Sequence, residues 1–400
     1  MPGRYNERKK KGASFVSTIS EKLHQVLDWA VARQEIAGAN LLVLHCGQEL
    51  CYTQAGFADR EKGRPFDRDT ICRIYSMTKP VTAVAAMLLV ERGLLDLGQS
   101  VGDILPAFRN MQVWEEGQKV LARRNILVRD LLSMTSGLSY PGTDDSGREV
   151  AEIFEEGDQR LYSDTPLTTM EMAEKIGHCG LAFHPGDKWM YGTSADVLGA
   201  VIEAVARIPF GDFLRQEIFQ PLGMQDTGFF VTPEKMDRLA SVYERSPDGM
   251  QLKVTNNLNI PYTMHRQPAF QSGGAGLVST IDDYAKLAQS LLGHGKPILK
   301  PQTVAAMTQA KLLPWQQESA WRSWESLAGY TYGNLCRILI EPGMALLHGW
   351  EGEYGWDGWL GTYFCNSPQN DVTVLLFVQR IDAGTMEVTR RLRNVLAAEL

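Results

Sequence analysis

Ser76 and Lys79 form a Ser-x-x-Lys pattern within the stretch Ile-Tyr-Ser-Met-Thr-Lys-Pro-Val at residues 74–81. Residues three apart are neighbours on one face of a helical turn, so the lysine amine can reach the serine hydroxyl. An amine held away from water binds its proton more weakly and can act as a base towards that hydroxyl. A serine at the start of a helix also lies near backbone N–H groups, which stabilise an oxyanion. The pattern is typical of a nucleophilic serine with a lysine base.

The spacing alone leaves a second interpretation open, in which Ser76 only caps a helix and Lys79 is exposed. The chain has 20 serines and 15 lysines in 400 residues, so about one such pair is expected by chance. The segment that follows, Val-Thr-Ala-Val-Ala-Ala-Met-Leu-Leu-Val, is apolar on all sides and is therefore predicted to be a buried helix. A lysine at the start of a buried helix is more often partnered than solvated.

A tyrosine and a glycine-rich segment could complete a site around Ser76. Tyr191 precedes a predicted helix, and a phenol beside an ammonium can ionise more readily and carry a proton; taken alone, it fits a buried structural tyrosine equally well. Glycines at 355, 358 and 361 lead towards a predicted strand and let the backbone approach a ligand. The N–H groups of Ser76 and Trp359 could then form an oxyanion hole. The alternative for this segment is a bulged edge strand.

Other patterns in the chain do not predict chemistry. Ser100 lies in Gly-Gln-Ser-Val-Gly, a formal match to the Gly-x-Ser-x-Gly elbow, but it follows a predicted helix rather than a strand. We therefore expect Ser100 to be structural. The glycine-rich segment 271–280 lacks the Gly-Lys-Ser/Thr ending of a phosphate-binding loop. The histidines and cysteines have no metal-binding spacing, so we expect no metal and no cofactor.

The composition excludes several classes of partner. A net charge of −7 and an isoelectric point near 5.6 disfavour binding to nucleic acid or to anionic membranes. No apolar run approaches the roughly 18 residues of a membrane span, and no apolar segment follows the basic N-terminus as in a secretory signal. The six cysteines are sparse, which favours free thiols in a reducing compartment. We therefore expect a cytoplasmic protein; the sequence leaves its oligomeric state open.

Strand patterns occur at both ends of the chain and helical patterns in the middle. This arrangement predicts an α+β fold, in which an antiparallel sheet from both chain ends is flanked by helices and an all-helical region is inserted. We expect a flexible basic tail at residues 1–14, a sheet domain of residues 15–95 and 295–400, and a mostly helical domain of residues 96–294. Pockets favour such seams, so the active site is predicted to lie between the two domains.

Three segments taken in order resemble the serine β-lactamase and penicillin-binding-protein superfamily. They are Ser76-Met77-Thr78-Lys79, Tyr191-Gly192-Thr193 and Trp356-Asp357-Gly358-Trp359. The similarity is strongest to the class C β-lactamase-like branch, which includes the family VIII carboxylesterases, and it extends over roughly residues 20–398. Further segments that look like this branch are VRDLLSMTSGLSY, HPGDKWMYGTSADVLGAVIEAV, IFQPLGMQDTGF and GGAGLVSTIDDYAKL.

The resemblance implies an acyl-enzyme mechanism on the β-lactamase-like fold. Ser76 would attack a carbonyl carbon, and Lys79 and Tyr191 would take the hydroxyl proton and pass it to the leaving group. The backbone N–H groups of Ser76 and Trp359 would hold the oxyanion. Water or another acyl acceptor would then release the acyl group.

Departures from the β-lactamase pattern concern the substrate. Thr193 stands where β-lactamases of this branch have the asparagine of Tyr-x-Asn, and a tryptophan replaces the lysine of Lys-Thr-Gly, which resembles the esterases. Asp357 adds a negative charge near the pocket, and tryptophans could make its rim apolar. The predicted substrate-binding residues are Trp356, Asp357, Gly358, Thr193, Trp350 and Trp189. We expect a small-molecule substrate, a mostly uncharged carboxylic ester.

Other functions fit the same residues. A β-lactamase, a D-amino-acid peptidase or amidase, and an acyltransferase would all use Ser76, Lys79 and Tyr191. The missing signal sequence disfavours the first two, whose substrates lie in the cell envelope, whereas acyl transfer differs only in the acceptor. A non-catalytic binding protein on this scaffold is a minor alternative, because all three residues are present.

Overall fold

The structure, a computed structural model, describes residues 3–400, with side chains from residue 18 onward. A long N-terminal helix, α1, spans Gly3–Ala32. Apolar residues at helical spacing predict this helix over residues 15–34, so it begins earlier than predicted. The flexibility predicted for residues 1–14 stays a prediction, because residues 1–2 and the side chains that follow them lie outside the described part.

One antiparallel sheet is built from strands at both ends of the chain, as predicted. The strands are β1 Gly38–His45, β2 Gln48–Asp59, β3 Arg64–Pro65, β10 Tyr330–Tyr332, β11 Arg337–Leu339, β12 Tyr354–Asp357, β13 Tyr363–Ser367 and β14 Val372–Val378. Their order in the sheet is β10-β11-β12-β13-β14-β1-β2-β3. The central strands β1 and β14 are nearly continuous apolar runs, because helices cover both faces of the sheet.

The β1–β2 hairpin turns at Cys46 and Gly47, which both have positive φ angles of 50° and 70°. Two residues in this conformation match the twist of an antiparallel hairpin. The sequence predicts two strands joined by a tight turn at Gly47, and the structure confirms it. At the other end of the chain, the Ser-Pro-Gln-Asn segment at residues 367–370 predicts a turn, and the turn between β13 and β14 lies at residues 368–371, one position later.

The segment between the two groups of sheet strands is mostly helical. The helices of the chain after α1 are α2 Thr78–Glu91, α3 Val101–Ile104, α4 Val128–Ser133, α5 Asp145–Arg160, α6 Thr169–Ile176, α7 Ser194–Ala206, α8 Phe210–Leu214, α9 Gln220–Leu222, α10 Ile281–Leu291, α11 Pro301–Met307, α12 Pro314–Ser323 and α13 Glu387–Glu399. The sequence does not predict the short strand pairs inside this segment: β4 Cys72–Arg73 with β9 Val278–Ser279, β5 Gln112–Glu115 with β6 Gln118–Leu121, and β7 Tyr243–Ser246 with β8 Gly249–Leu252.

The two faces of the sheet have separate apolar cores. On one face, α1 and α13 bury leucines such as Leu27 and Leu392 against β1 and β14. On the other face, α2 lies between the sheet and the helical segment and is buried along almost its whole length. The helix α10 also packs on this face, where the Asn366 amide of β13 donates to the Ala288 carbonyl at 2.8 Å. The boundary predicted at residue 294 therefore assigns α10 to the helical part, although it packs against the sheet. Within residues 3–400, no helix is long and apolar enough to cross a membrane.

The close approach of β12 to β13 requires glycine at position 355. A Cβ atom there would lie 1.9 Å from the Phe364 carbonyl oxygen. We expect Gly355→Ala to lower the free energy of unfolding by about 1–3 kcal/mol, because the two strands must move apart. Gly343→Ala is the matched control, since a Cβ at Gly343 meets nothing within 4 Å. Equal urea midpoints for the two variants would contradict this account of β12.

Candidate active site

Ser76 is held on a tight 3₁₀ turn, Tyr75–Met77, that leads directly into α2. Tyr75 has a φ angle of 41°, which is uncommon for a bulky residue and costs conformational energy. A hydrogen bond from α10 holds the end of this turn, because the Tyr284 hydroxyl donates to the Met77 carbonyl at 2.9 Å. Ser76 is therefore held at the wall of a cavity and stays partly exposed, while its neighbours are buried.

The Lys79 amine is fully buried and points back at Ser76. It donates to the Ser76 hydroxyl at 3.2 Å, to the Tyr140 hydroxyl at 3.1 Å and to the Gly274 carbonyl at 2.9 Å. Burial lowers the pKa of Lys79 to about 7, and the negative charge of Asp196 acts in the opposite direction. A large fraction of the lysine is therefore an uncharged amine at neutral pH, as a base for the hydroxyl must be.

Tyr191 precedes α7 and presents its phenol to the same cavity. Its oxygen accepts a hydrogen bond from the Trp356 indole N–H at 3.0 Å, and its ring lies 4.3 Å from the Lys79 amine. Burial raises the pKa of Tyr191 well above its ordinary value, although hydrogen bonds to Ser76 and Trp356 oppose this. The structure does not support the expectation that the phenol ionises more readily, because burial outweighs the hydrogen bonds that lower the pKa of Tyr191.

Tyr140 is a site residue that the sequence does not single out. It follows α4 on a loop, accepts a hydrogen bond from Lys79, and lies with its ring centroid 5.6 Å from that of Tyr191. Both tyrosine rings thus lie close to the amine, with centroids 5.5 Å (Tyr140) and 4.3 Å (Tyr191) from it. Tyr140 ends the segment VRDLLSMTSGLSY, which agrees with the family pattern, and this resemblance is the signal that could have identified it.

The turn between β12 and β13 brings Trp359 to the cavity wall beside the turn that carries Ser76. Gly358 allows this turn to pack against the backbone before Ser76, since a Cβ there would lie 2.5 Å from the Ile74 carbonyl oxygen. The Trp359 ring packs edge-on against Tyr75, with centroids 5.1 Å apart. Among the described residues, none accepts a hydrogen bond from the Trp359 backbone N–H. The segment is a central strand followed by a turn, and the alternative of a bulged edge strand is wrong.

These groups surround a cavity of about 660 Å³. Its wall combines the serine turn, both tyrosines and the β12–β13 turn, and it is completed by the segment after α12 and by residues after β14. The lining residues include Ser76, Tyr140, Tyr191, Trp324, Glu325, Arg337, Trp356, Asp357, Gly358, Trp359 and Asp382. Trp324, which the sequence does not identify, lies over Tyr191 with ring centroids 4.7 Å apart and makes this wall aromatic.

The charge of Asp357 is neutralised by Arg337. The guanidinium of Arg337 donates to both carboxylate oxygens at 2.8 and 2.6 Å, and the Thr385 hydroxyl adds a third hydrogen bond at 2.5 Å. Both charged side chains are largely buried. Asp357 does line the cavity, but the negative charge predicted there is balanced, because β11 places its counter-ion Arg337 directly beside it.

Three predicted substrate-binding residues lie behind or away from the cavity. Thr193 is buried, and its hydroxyl donates to the Ser139 carbonyl at 3.2 Å. Trp189 is buried behind Tyr191, with ring centroids 6.3 Å apart. Trp350 lies at the sheet face under α13, where the Arg393 guanidinium covers its ring at 4.4 Å. Their placement gives no support to a direct substrate contact, whereas Trp356, Asp357 and Gly358 do line the cavity.

Ser100 does not form a nucleophile elbow. It is an extended residue immediately before the short helix α3 and follows no strand. It is also absent from the residues that line the cavity at Ser76. Within the part of the chain that the structure describes, no group of three or more His, Cys, Asp or Glu residues could hold a metal ion.

Comparisons with known proteins identify the family of the chain. The model of the beta-lactamase family matches residues 23–399. Esterase EstB of Burkholderia gladioli is 30% identical over 357 residues, which are 86% of each chain. Monacolin J acid methylbutanoyltransferase of Aspergillus terreus is 30% identical over 337 residues, 79% of this chain and 77% of the relative. The solved structure of EstCE1, described as a hydrolase with promiscuous acyltransferase activity, superposes with a TM-score of 0.84 at 25% identity and covers 96% of this chain and 99% of EstCE1.

The buried pair of Arg337 and Asp357 generates a stability prediction. We expect Asp357→Asn to lower the free energy of unfolding by about 3 kcal/mol or more, because the Arg337 guanidinium stays buried without a counter-charge. Adding Arg337→Met to this variant should restore part of the loss, so that the double variant is less destabilised than the sum of the single variants. The control is Glu318→Gln, which breaks an exposed pair with Arg322 and should cost under about 1 kcal/mol. Additive effects of the two buried substitutions in urea unfolding would contradict the pairing.

Proposed function

Because the chain belongs to the beta-lactamase family, we propose that it is a serine hydrolase that cleaves small, mostly uncharged carboxylic esters through an acyl-enzyme intermediate. One observation carries the proposal. A buried lysine amine with a pKa of about 7 lies 3.2 Å from a partly exposed serine hydroxyl, at the wall of a cavity large enough for a small ester.

In the first half of the reaction, Ser76 Oγ attacks the ester carbonyl carbon and its proton passes to the uncharged Lys79 amine. The C–O bond formed makes the carbonyl oxygen an oxyanion. Ser76 and Trp359 both line the cavity, so their backbone N–H groups are suited to stabilise that oxygen. Lys79 is the better base of the candidates, because burial lowers its pKa but raises that of Tyr191.

In the second half, Tyr191 acts as a hydrogen-bond relay. Its neutral phenol can donate a proton to the departing alkoxide oxygen and recover one from the Lys79 ammonium, so the alcohol leaves as the tetrahedral intermediate collapses. The Trp356 indole N–H, 3.0 Å from the phenol oxygen, keeps that oxygen aimed into the cavity. Water then attacks the acyl carbon by the same route in reverse, and Ser76 recovers its proton.

The charges around the cavity support an uncharged substrate. Arg337 is the cation on the described wall, and Asp357 already occupies it. Two further carboxylates, Glu325 and Asp382, lie exposed at the rim. A negatively charged ester would meet net repulsion and no free cation on this described wall, whereas the aromatic side chains suit an apolar acyl or alcohol group. The same charge pattern disfavours the carboxylate-bearing substrate of a β-lactamase.

Acyl transfer is the second candidate, and the relatives favour it. A methylbutanoyltransferase and a hydrolase with promiscuous acyltransferase activity are similar to this chain over most of its length. Transfer needs the same acyl-enzyme and only replaces water with an alcohol acceptor. A non-catalytic binding protein is disfavoured, because binding alone does not require an uncharged buried lysine beside a serine hydroxyl.

We also propose a cytoplasmic location. All six cysteines are unpaired thiols, as is usual in a reducing compartment. Cell fractionation with an antibody to the protein tests this part of the proposal.

Turnover of a matched substrate panel tests the nucleophile. We expect the wild-type protein to hydrolyse short and medium p-nitrophenyl esters, with weak or no turnover of a chromogenic cephalosporin, a D-amino-acid amide or an ester with a carboxylate on its acyl chain. Ser76→Ala should lose at least about 1000-fold in kcat/KM, because no other group forms the acyl-enzyme. Ser100→Ala is the control and should keep wild-type activity. Activity that survives in Ser76→Ala and disappears in Ser100→Ala would overturn the assignment.

The pKa of Lys79 sets the expected pH dependence. Below pH 7 the amine is protonated and has no lone pair for the Ser76 proton, so kcat/KM should fall about tenfold per pH unit. Above pH 7 the amine is free and kcat/KM should level off. The measurement is kcat/KM for an uncharged ester between pH 5 and 9, with unfolding checked at each pH. A midpoint near 10 would instead point to a tyrosine with an ordinary pKa, and a flat profile would remove Lys79 as the base.

A further inference from the structure

Asp196 is a buried carboxylate that the proposed reaction does not use. It lies in the first turn of α7 and is 4% exposed. Among the described residues, none places a Lys, Arg or His nitrogen within 4.0 Å of it. A buried charge without such a partner is costly and needs hydrogen bonds to compensate. Burial accordingly raises the pKa of Asp196, and the Lys79 charge opposes that effect.

The hydrogen bonds to Asp196 come from one loop, residues 272–275, which lies before β9. Its Oδ1 atom accepts from the Ser272 hydroxyl at 2.5 Å and from the Gly274 N–H at 3.0 Å. The Ser272 hydroxyl in turn accepts from the Ala275 N–H at 2.9 Å. The carboxylate therefore helps to fix the conformation of this loop.

The same glycine contacts the catalytic lysine. The Gly274 N–H donates to Asp196, and the Gly274 carbonyl accepts from the Lys79 amine at 2.9 Å. A carbonyl oxygen can only accept, so it fixes one N–H of the amine and leaves the second N–H and the lone pair of the uncharged form to face Tyr140 and Ser76. Gly274 thus links Asp196 to the base, with its N–H bonded to the carboxylate and its carbonyl bonded to the amine.

Asp196 is the charged group near Lys79 that opposes the loss of a proton from the lysine. The titratable groups that face Lys79 are the phenols of Tyr140 and Tyr191 and the carboxylate of Asp196. Both phenols are neutral, because burial raises the pKa of each. Asp357 acts on Tyr191 rather than on the amine. The carboxylate therefore attracts the ammonium form, against the effect of burial.

We propose that Asp196 is a positioning residue of this site: through Gly274 it holds the Lys79 amine towards Ser76, and its charge sets the pH at which that amine becomes a base. The inference rests on the proposed function of Ser76 and Lys79. The proposal assigns two separate effects to Asp196. Its acceptor oxygen holds the Lys79 amine in position, and its negative charge sets the pH at which the amine loses its proton.

Two substitutions of Asp196 distinguish these effects. Asp196→Asn keeps an acceptor oxygen for Ser272 and Gly274 but removes the charge. We expect its kcat/KM midpoint to move to lower pH by about one unit, with a plateau within about threefold of wild type. Asp196→Ala removes the acceptor as well, so we expect the same shift together with at least a tenfold lower plateau, because the Gly274 carbonyl is no longer held.

The matched control is Ser194→Ala on the same helix. Its hydroxyl is buried and bonded to the Ser136 hydroxyl at 2.8 Å, with no link to Lys79. A purely structural role of Asp196 would make its variants behave like this control, with a lower melting temperature and an unmoved pH midpoint. An unmoved midpoint in folded Asp196→Asn overturns the proposal for the charge, and an unchanged plateau in folded Asp196→Ala overturns that for the position.

A second readout keeps the test independent of the ester chosen. The rate at which a fluorophosphonate probe labels Ser76 needs the same proton transfer, and we expect the same shift of its pH midpoint in Asp196→Asn. If the wild-type protein is neither labelled nor active on esters, the proposed function fails; if wild type reacts and the variant keeps its midpoint, only the role of Asp196 fails. Should the Asp196 variants not fold, Ser272→Ala tests the position. It should lower the plateau without moving the midpoint, and an unchanged plateau would contradict the proposal.

Discussion

The uncharged state of the Lys79 amine depends on its burial at the start of α2. A lysine in water holds its proton at neutral pH, but here burial lowers the pKa to about 7. The cost of burying the amine is offset by three hydrogen-bond partners, of which one is the Ser76 hydroxyl itself, and this hydroxyl donates to the lone pair when the amine is uncharged. The same contacts that compensate the amine therefore aim it at the serine.

The rest of the fold excludes water from the Lys79 amine and orients it towards Ser76. The helix α2 is buried between the sheet and the helical segment, so the start of the helix is closed to water except at the cavity. The turn before it carries the positive φ angle of Tyr75, which directs Ser76 to the cavity wall. The close packing of Gly358 against Ile74 then places Trp359 beside the Ser76 turn. Elements from both ends and the middle of the chain meet at one point.

The sequence predicts those parts of the site that are local in the chain. Ser76 and Lys79 are three residues apart on one turn, and Tyr191 and Trp356 stand in segments of recognisable pattern. The hairpin at Gly47 and the central strands could be predicted because local turn chemistry and apolar runs determine them. The early start of α1 shows the opposite case, since polar residues at its beginning give no apolar periodicity to read.

What the sequence does not predict are contacts between distant residues. The hydrogen bond from Lys79 to Tyr140 spans 61 positions and that from Gly274 to Asp196 spans 78. Contacts this far apart in the chain produce no periodic pattern in the sequence. The counter-ion of Asp357 comes from a different strand, β11, so its charge looked free in the sequence. Trp350 is predicted to bind substrate because it is a tryptophan. Its ring instead packs under α13 against the Arg393 guanidinium.

The central claim is that Ser76 carries the acyl group during turnover, and trapping that intermediate tests it most directly. The wild-type protein would be mixed with an excess of a p-nitrophenyl ester, quenched in acid within milliseconds to seconds, and digested for peptide mapping by mass spectrometry. The account predicts an acyl group on the peptide that contains Ser76, formed as p-nitrophenol is released and lost as the ester is exhausted. Turnover without an acylated Ser76 under these conditions, or an acyl group that accumulates at another residue, would contradict it.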